Sequence, residues 1–483
     1  MKKNVLKVMG GLFTCLSVMV LPFNSRGQAD STVVLSLQQC VDIAHKNNLD
    51  LKQAELMAAS GQLDYQQSKN NLLPNLNGNV EHGMNQGRSI DPFSNSYLNQ
   101  NISYANYGLY AGVNVFNGLS LMNSVKQNRF LAEASQLDVQ QNKDMLTLYV
   151  INAYLQVLAA TDQLVQVQNQ VNLSQKQVER LSILNNEGAV SPSQLFDLKG
   201  QLAGDQVTLV NTQNQLESAK LSLTQLMNIP YDRTLTLERI TNDELLARFT
   251  GSADSVYQVA LKELPLVKAA SIRKESAGFG LKATRGQYWP TISLGAGLYT
   301  NYSSAASTAT LLSTSDQQTN QYVLIGGAKE PVYMPVSQYN ENKIPYGNQF
   351  KNNYSTNINL SVRVPIINYF NTRNKVARAK LAVDNSNLVE NNAKLKLQQQ
   401  VEQAFVNMTA AYNRLNVLLQ QTDAFAESFR ITEVRFNEGV VNSVDYLVAK
   451  NNLDRANINL INAKYEYVLR IKVLNYYRHA PLW

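Results

Sequence analysis

The sequence is poor in the residues that catalysis and metal binding use. Its 483 residues include only 2 Cys and 3 His. His45, His82 and His479 stand far apart, and there is no His-Glu-x-x-His, Gly-x-Ser-x-Gly, phosphate loop or Cys-x-x-Cys. No catalytic residue, cofactor or metal ligand is therefore expected. Charged residues make up 16% of the chain, below the usual fraction of about a quarter, and the net charge is +7. Lys2, Lys3, Lys7 and Arg26 carry four of those charges in an N-terminal leader, which leaves about +3 for the rest. A nucleic-acid partner needs a concentrated basic face, and none is present. A shortage of apolar residues, the mark of disorder, is not found here: 44% are hydrophobic.

Residues 1–29 read as a signal peptide, with Lys2, Lys3 and Lys7 ahead of the apolar stretch Val8–Phe23 and small residues at Gly27 and Ala29. Cys15 lies inside the apolar stretch, the wrong context for lipid attachment. Cys40 is then a single thiol, and the fold has to stand without an internal disulfide. Beyond the leader no run of 18 apolar residues occurs, so no spanning helix is expected and any membrane crossing falls to strands.

What the chain does have is a repeat. Asn186-Glu187-Gly188 recurs as Asn437-Glu438-Gly439, an offset of 251, and Leu73-Pro74-Asn75-Leu76 faces Trp289-Pro290-Thr291-Ile292 at an offset of 216. The change of offset places an insertion of about 35 residues in the second copy. It falls near Ser303–Gln349, whose Ser, Thr, Asn, Gln, Gly and Pro read as a long loop. The organisation is a first repeat at 30–228, a linker at 229–253, a second repeat at 254–478 and a tail at 479–483. Each repeat runs helix, strand, loop, strand, very long helix, sharp turn, long helix. Ser36-Leu37-Gln38-Gln39 is a capping box opening the first helix, and Asp254 or Ser252 opens its counterpart.

After Gly188 a ladder of Leu195, Leu198, Leu202, Asp205, Leu209, Thr212 and Leu216 alternates spacings of 3 and 4, a coiled-coil seam. Tyr446, Ala449, Leu453, Ala456, Leu460 and Ala463 keep the same register in the second copy. The stretch Leu119–Asn185 would span about 100 Å as one helix. Off the seam the helices present amides, such as Gln166, Gln168, Asn169, Gln170, Gln398, Gln399 and Gln400. They read either as an ordinary solvated face or as the wet wall of a duct. Gly200 and Gly204 inside a helix cost about 1 kcal/mol each, for which close helix contact would compensate.

Four segments alternate apolar and polar, as membrane-barrel strands do. Leu76, Val80 and Met84 alternate with Asn75, Asn77, Asn79 and Glu81, and Leu109, Ala111 and Val113 with Gly108, Tyr110 and Gly112. Ile292, Leu294 and Ala296 alternate with Thr291, Ser293 and Gly295, and Ile358, Leu360 and Val362 with Asn357, Asn359 and Ser361. Four strands cannot close a barrel, and open edges in lipid leave backbone groups unpaired at several kcal/mol each. Several chains must share one barrel.

These residues resemble the TolC family of outer-membrane efflux proteins. The resemblance is carried by Leu37–Ala44 with Asn47-Asn48, by Leu184–Gln194, and by Arg435–Asp445. It implies an α+β membrane protein of the outer membrane of a Gram-negative bacterium. A homotrimer would form a 12-stranded β-barrel, four strands per chain, continuing into a periplasmic tunnel of long antiparallel coiled coils, with Asn228–Pro265 in an equatorial collar. It further implies a passive exit duct carrying drugs or other small solutes, joined through a periplasmic adaptor to a proton-driven or ATP-driven inner-membrane transporter. The outer-membrane arm of a type I protein secretion system is the alternative within the family, and an exported soluble coiled-coil scaffold the alternative outside it. By position, Asn186, Glu187, Gly188, Ala189 and Val190, with Asn437, Glu438, Gly439, Val440 and Val441, would meet the adaptor. Asp445 falls where the family commonly places an acidic ring at the tunnel entrance, with Gln194 as its first-repeat match and Phe436 packing nearby to close the tip. A helix-start carboxylate favoured by the dipole is the other reading of Asp445. Val448 and Val441 stand where some members carry a second aspartate and a basic gating partner.

Overall fold

The computed structural model describes residues 34–90, 95–99, 101–240 and 249–482; the leader with Cys15, and Asp243 and Glu244 of the collar, lie outside them. The first repeat opens with α1 (Leu37–Asn47) and α2 (Leu49–Asn70). Ser36 caps α1 through the reciprocal box read from the sequence, Gln39 N to Ser36 Oγ at 3.3 Å and Ser36 N to Gln39 Oε1 at 2.9 Å. The opening helix is two helices rather than one. Asn48 sits extended at ψ 127° and turns its side chain onto Leu51 N, ending α1 and starting α2. The second repeat breaks at the matching place for a different reason. Leu264, at ψ 133°, precedes Pro265, whose ring excludes the helical conformation for its neighbour, so α5 (Ala253–Glu263) gives way to α6 (Pro265–Gly286).

The two very long helices, α3 (Ser120–Asn186) and α8 (Asn371–Asn437), are each 67 residues, about 100 Å. They return as α4 (Pro192–Met227) and α9 (Ser443–Tyr477). Duplication is visible in the packing. One core buries Cys40, Ala44, Leu51, Leu146, Val150, Leu216 and Leu223. The other buries their counterparts Val256, Ala260, Val267, Leu397, Val401, Tyr467 and Leu474. Each buried Leu contributes roughly 1.5–3 kcal/mol. Beside the first core, β1 (Val34–Leu35) pairs in parallel with β6 (Thr236–Leu237), and Tyr154 Oη donates to Glu238 O at 2.6 Å.

The strands β2 (Asn75–Asn85), β5 (Ile102–Phe116), β7 (Thr291–Ser303) and β10 (Ser355–Arg363) form one antiparallel sheet in the order β10-β7-β5-β2. Pairing across it aligns Gly78, Leu109, Leu298 and Thr356, then Leu76, Ala111, Ala296 and Ile358. One face is therefore an apolar band. The other face aligns Asn77, Tyr110, Gly297 and Asn357, then Asn75, Gly112, Gly295 and Asn359. A side chain at Gly295 or Gly297 would collide with Tyr110 or Tyr299, so glycine lets the tyrosine rings lie flat along the polar wall. Among the described residues no helix is long and apolar enough to cross a membrane.

Two further expectations change. The insertion is ordered, not a loop: β8 (Ser307–Ile325) and β9 (Ala328–Lys343) form a long hairpin, followed by α7 (Tyr346–Asn352). Its polar strands pair through backbone bonds that composition does not reveal. A shorter hairpin, β3 (Arg88–Ile90) with β4 (Tyr97–Asn99), stands between β2 and β5. Gly200 and Gly204 face open space within the chain rather than a close neighbour.

Candidate functional site

Both long helix pairs reverse at one end of the molecule, and the two reversals are hydrogen-bonded alike. After α3, Glu187 N donates to Ile183 O (3.1 Å) and Ala189 N to Leu184 O (2.8 Å). After α8, Glu438 N donates to Val434 O (3.0 Å) and Val440 N to Arg435 O (2.8 Å). The second bond of each set reaches five residues back and needs a left-handed residue between, which Gly188 (φ 73°) and Gly439 (φ 72°) provide. Ser191 with Pro192 starts α4, and Asn442, accepting from Asp445 N at 3.0 Å, starts α9.

Beneath the turns lies a small core shared by both pairs: Leu181, Leu195, Leu198, Phe429, Phe436 and Tyr446. Phe436 stacks on Tyr446 with centroids 4.6 Å apart, and Phe429 meets the same ring at 5.6 Å. Phe436 is only 7% exposed, so it is a packing residue between helices and has no face for a passing solute. Tyr446 Oη is buried without a hydrogen-bond partner, and burial raises its pKa above the ordinary phenol range. Asn186, Glu187, Gly188 and Ala189 are exposed, as are Asn437, Glu438, Gly439 and Val440, whereas Val190 and Val441 tuck into the core. Asp445 is exposed in the first turn of α9, and its carboxylate forms no ion pair among the described residues. Gln194 is half-buried in the first turn of α4.

Contacts that sequence patterning missed lash one helix pair to the other. Arg180 of α3 donates through Nη2 to Asn437 O at 2.6 Å and through Nη1 to its side-chain oxygen. Ser443 Oγ donates to Asp197 Oδ2 at 3.0 Å. Further along the coil Lys450, 1% exposed, sits between Asp205 (3.0 Å) and Asp454 (2.7 Å), while Ser174 Oγ and Gln201 Nε2 also reach Asp205. Burial raises the pKa of Asp454, opposed by Lys450 and reinforced by Asp205. The ladder placed Asp205 and Ala449 on the seam; the chain buries Lys450 beside Ala449, and only the facing carboxylates account for it. Gln170 also moves from the expected wet face to the interior, 5% exposed, with Gln163 and Gln177 in the same heptad position. Among the described residues there is no cluster of His, Cys, Asp and Glu that could hold a metal.

A duplicated chain with one apolar-faced four-stranded sheet at one end and paired 67-residue helices at the other is an unusual combination, and it has relatives. The family model for outer membrane efflux proteins matches residues 40–228 and 336–472. The chain belongs to the outer membrane efflux protein family. It is 23% identical over 407 residues to outer membrane protein TolC of Vibrio cholerae, covering 84% of this chain and 81% of that one. Solved structures share the fold at lower identity: CusC (TM-score 0.74, 15% identical, 92% of each chain) and VceC of Vibrio cholerae (0.73, 14%, 92% of this chain and 97% of that one). The open state of the MtrE channel of Neisseria gonorrhoeae follows (0.71, 18%, 92% and 89%). Family membership makes the chain an outer-membrane efflux duct reaching into the periplasm, not an enzyme, and sets the soluble scaffold aside.

Proposed function

We propose that three copies of this chain close one barrel and one tunnel, and that the duct is the outer-membrane part of a tripartite efflux system driven by an inner-membrane transporter. The observation that carries this reading is the incomplete sheet: β2 and β10 are open edges of a sheet whose apolar face is exposed. In lipid those edges have to pair with other copies. Exposed apolar side chains on the helix pairs, among them Phe196, Val207 and Val210 on α4 and Val434, Val444 and Val448 on α8 and α9, give neighbouring coils something to cover.

The tips would then take the periplasmic adaptor through Asn186–Ala189 and Asn437–Val440. Three Asp445 carboxylates around the axis would attract cations and repel anions, with the uncharged Gln194 beside them. Phe436 would act on the entrance indirectly, by holding Tyr446 and the start of α9. Widening the tip would have to part Arg180 from Asn437 and Ser443 from Asp197. Strains lacking the chain should become several-fold more sensitive to the transported solutes. Complementation by the intact chain, and failure by one with the Asn437–Val441 tip replaced by glycines, is the expected outcome. Full complementation by the tip variant would remove the adaptor role.

A further inference from the structure

The β8–β9 hairpin is a second surface with no assigned role. It rises from the end of β7 away from the helices, and its 16- to 19-residue strands make it about 50 Å long. Its root is fixed. Gln349 of α7, 1% exposed, accepts from Ser303 N (2.9 Å) and donates to Ser303 O (2.9 Å) and Ile344 O (2.8 Å), while Tyr302 and Tyr346 pack at 4.4 Å. Beyond the root, almost every residue is exposed, and among the described residues no other element lies along the hairpin. A lone two-stranded ribbon is marginal in water and offers two open edges. So long a ribbon on so firm a root is built to be covered.

The register shows which face asks for cover. Leu311 pairs with Tyr339; a bulge at Leu312 shifts β8 by one residue, so that Gln318 faces Tyr333, and a second irregularity between Gln318 and Tyr322 brings Tyr322 opposite Pro331. Tyr339, Tyr333 and Tyr322 therefore share one face, each more than half exposed, with Leu311 and Leu324 at its two ends. Lys329 Nζ lies 4.3 Å over the Tyr322 ring on the same side. The opposite face carries a hydrogen-bonded ladder near the root, Thr308 and Thr310 to the carbonyls of Asn342 and Asn340, and Met334 with Val323 towards the tip.

We propose that the tyrosine faces of hairpins from neighbouring copies pack against one another on the barrel axis, forming an aromatic collar above the outlet. This inference rests on the three-copy reading. In a ring of four strands per chain, neighbouring roots stand roughly 20 Å apart at about 4.8 Å per strand. A lean of no more than about 10 Å along each hairpin brings the faces to sheet-packing distance, about 10 Å. Charge does not oppose it: Asp316, Glu330 and Glu341 nearly balance Lys329 and Lys343. Three identical copies bring three identical faces at one height.

Gln318 and Gln317 are adjacent, exposed and on opposite faces, which makes the test internal. Cys40, the only cysteine among the described residues, is buried with its thiol pushed up to about 12 by burial, and will stay silent. Gln318→Cys and Gln317→Cys proteins, purified in detergent, are treated with a short bismaleimide, and the mass of each sample is measured by light scattering. The expected result is a cross-linked dimer band for Gln318→Cys, little or none for Gln317→Cys, and a several-fold weaker band when Tyr333→Ser is added. A three-chain mass with no band at Gln318→Cys, or with equal bands from both variants, overturns the collar and leaves the trimer standing. A one-chain mass overturns both. Maleimide protection of Gln318→Cys without cross-linking, seen only on cells bearing surface polysaccharide, assigns the face to a glycan and overturns the collar as well.

Discussion

The two repeats agree where they pack against themselves and part company elsewhere. The 67-residue helices match, the tip turns match bond for bond, and the two cores match at seven positions, from Cys40 and Val256 to Leu223 and Leu474. The connections into the long helices share a backbone conformation but not their surroundings. Gly118 and Leu119 enter α3 with φ 63° and 60°, and Tyr369 and Phe370 enter α8 with φ 54° and 57°. Gly118 is pressed against the Gly286 carbonyl and Trp289, whereas Tyr369 at the same point of the repeat is 97% exposed. The coil differs too. Lys450 is buried between two carboxylates, and its counterpart Lys199 is exposed over the Phe196 ring. The turns and much of the two cores have stayed equal, while the entries to the long helices and the charge buried in the coil have diverged.

That contrast is easiest to break at the connections. Gly118→Ala adds a collision with backbone to an unfavourable φ, and should cost roughly 3 kcal/mol or more, seen as loss of assembled protein from the outer membrane. Tyr369→Ala should assemble normally, because the side chain it removes touches little of its own chain. Equal damage from both would mean that the two connections do the same work.

The lysines come next. Lys450→Met leaves Asp205 and Asp454 facing each other in a dry coil, and should cost about 3–5 kcal/mol in thermal unfolding of the helices. Lys199→Met should stay within about 0.5 kcal/mol.

Acid should separate two regions of the second repeat. Asp454 has a raised pKa, so its protonated form is favoured by folding: the coil near the tip gains stability as pH falls through that raised value. Glu390, hydrogen-bonded by Lys394 and Lys274, has a lowered pKa; its contribution holds above the ordinary carboxylate value and is lost as pH falls through the lowered one. On acidification, amide protection factors, corrected for the intrinsic exchange rate, should rise around Asp454 before they fall where α6 meets α8. Asp454→Asn should abolish the first effect and leave the second. The first repeat has Ala203 and Val139 at these places and should show neither.

The smallest effect on stability and the clearest on transport belongs to Asp445. Asp445→Asn should leave melting within about 0.5 kcal/mol and weaken the cation preference of single channels, and Gln194→Asp should strengthen it. Unchanged selectivity in both would leave Asp445 as a helix-start carboxylate only.

Much of this was legible in the residues because period and repeat are local. The heptad ladder from Leu195 to Leu216, the strand alternation from Leu76 to Met84, and the paired glycine turns each announce themselves within a few turns of chain. What was not legible depends on partners distant in sequence. Lys450 lies one residue off the ladder, and nothing near it in sequence shows that Asp205 faces it from the other helix pair. Phe436 reads as packing that closes the tip, but its partner, the Tyr446 ring of the next helix, shows only in the fold. The stretch Ser303–Gln349 reads as a loop because of its polar composition, whereas its strands are held by backbone pairing that composition does not show.

The central claim is that one chain is a fraction of a duct. Imaging of the detergent-purified protein by cryo-electron microscopy tests it most directly. The account predicts particles of three chains about one axis, with a detergent belt around the strand end and a hollow stem about 100 Å long. A detergent-free particle of a single chain, with its helices packed solid, would contradict it.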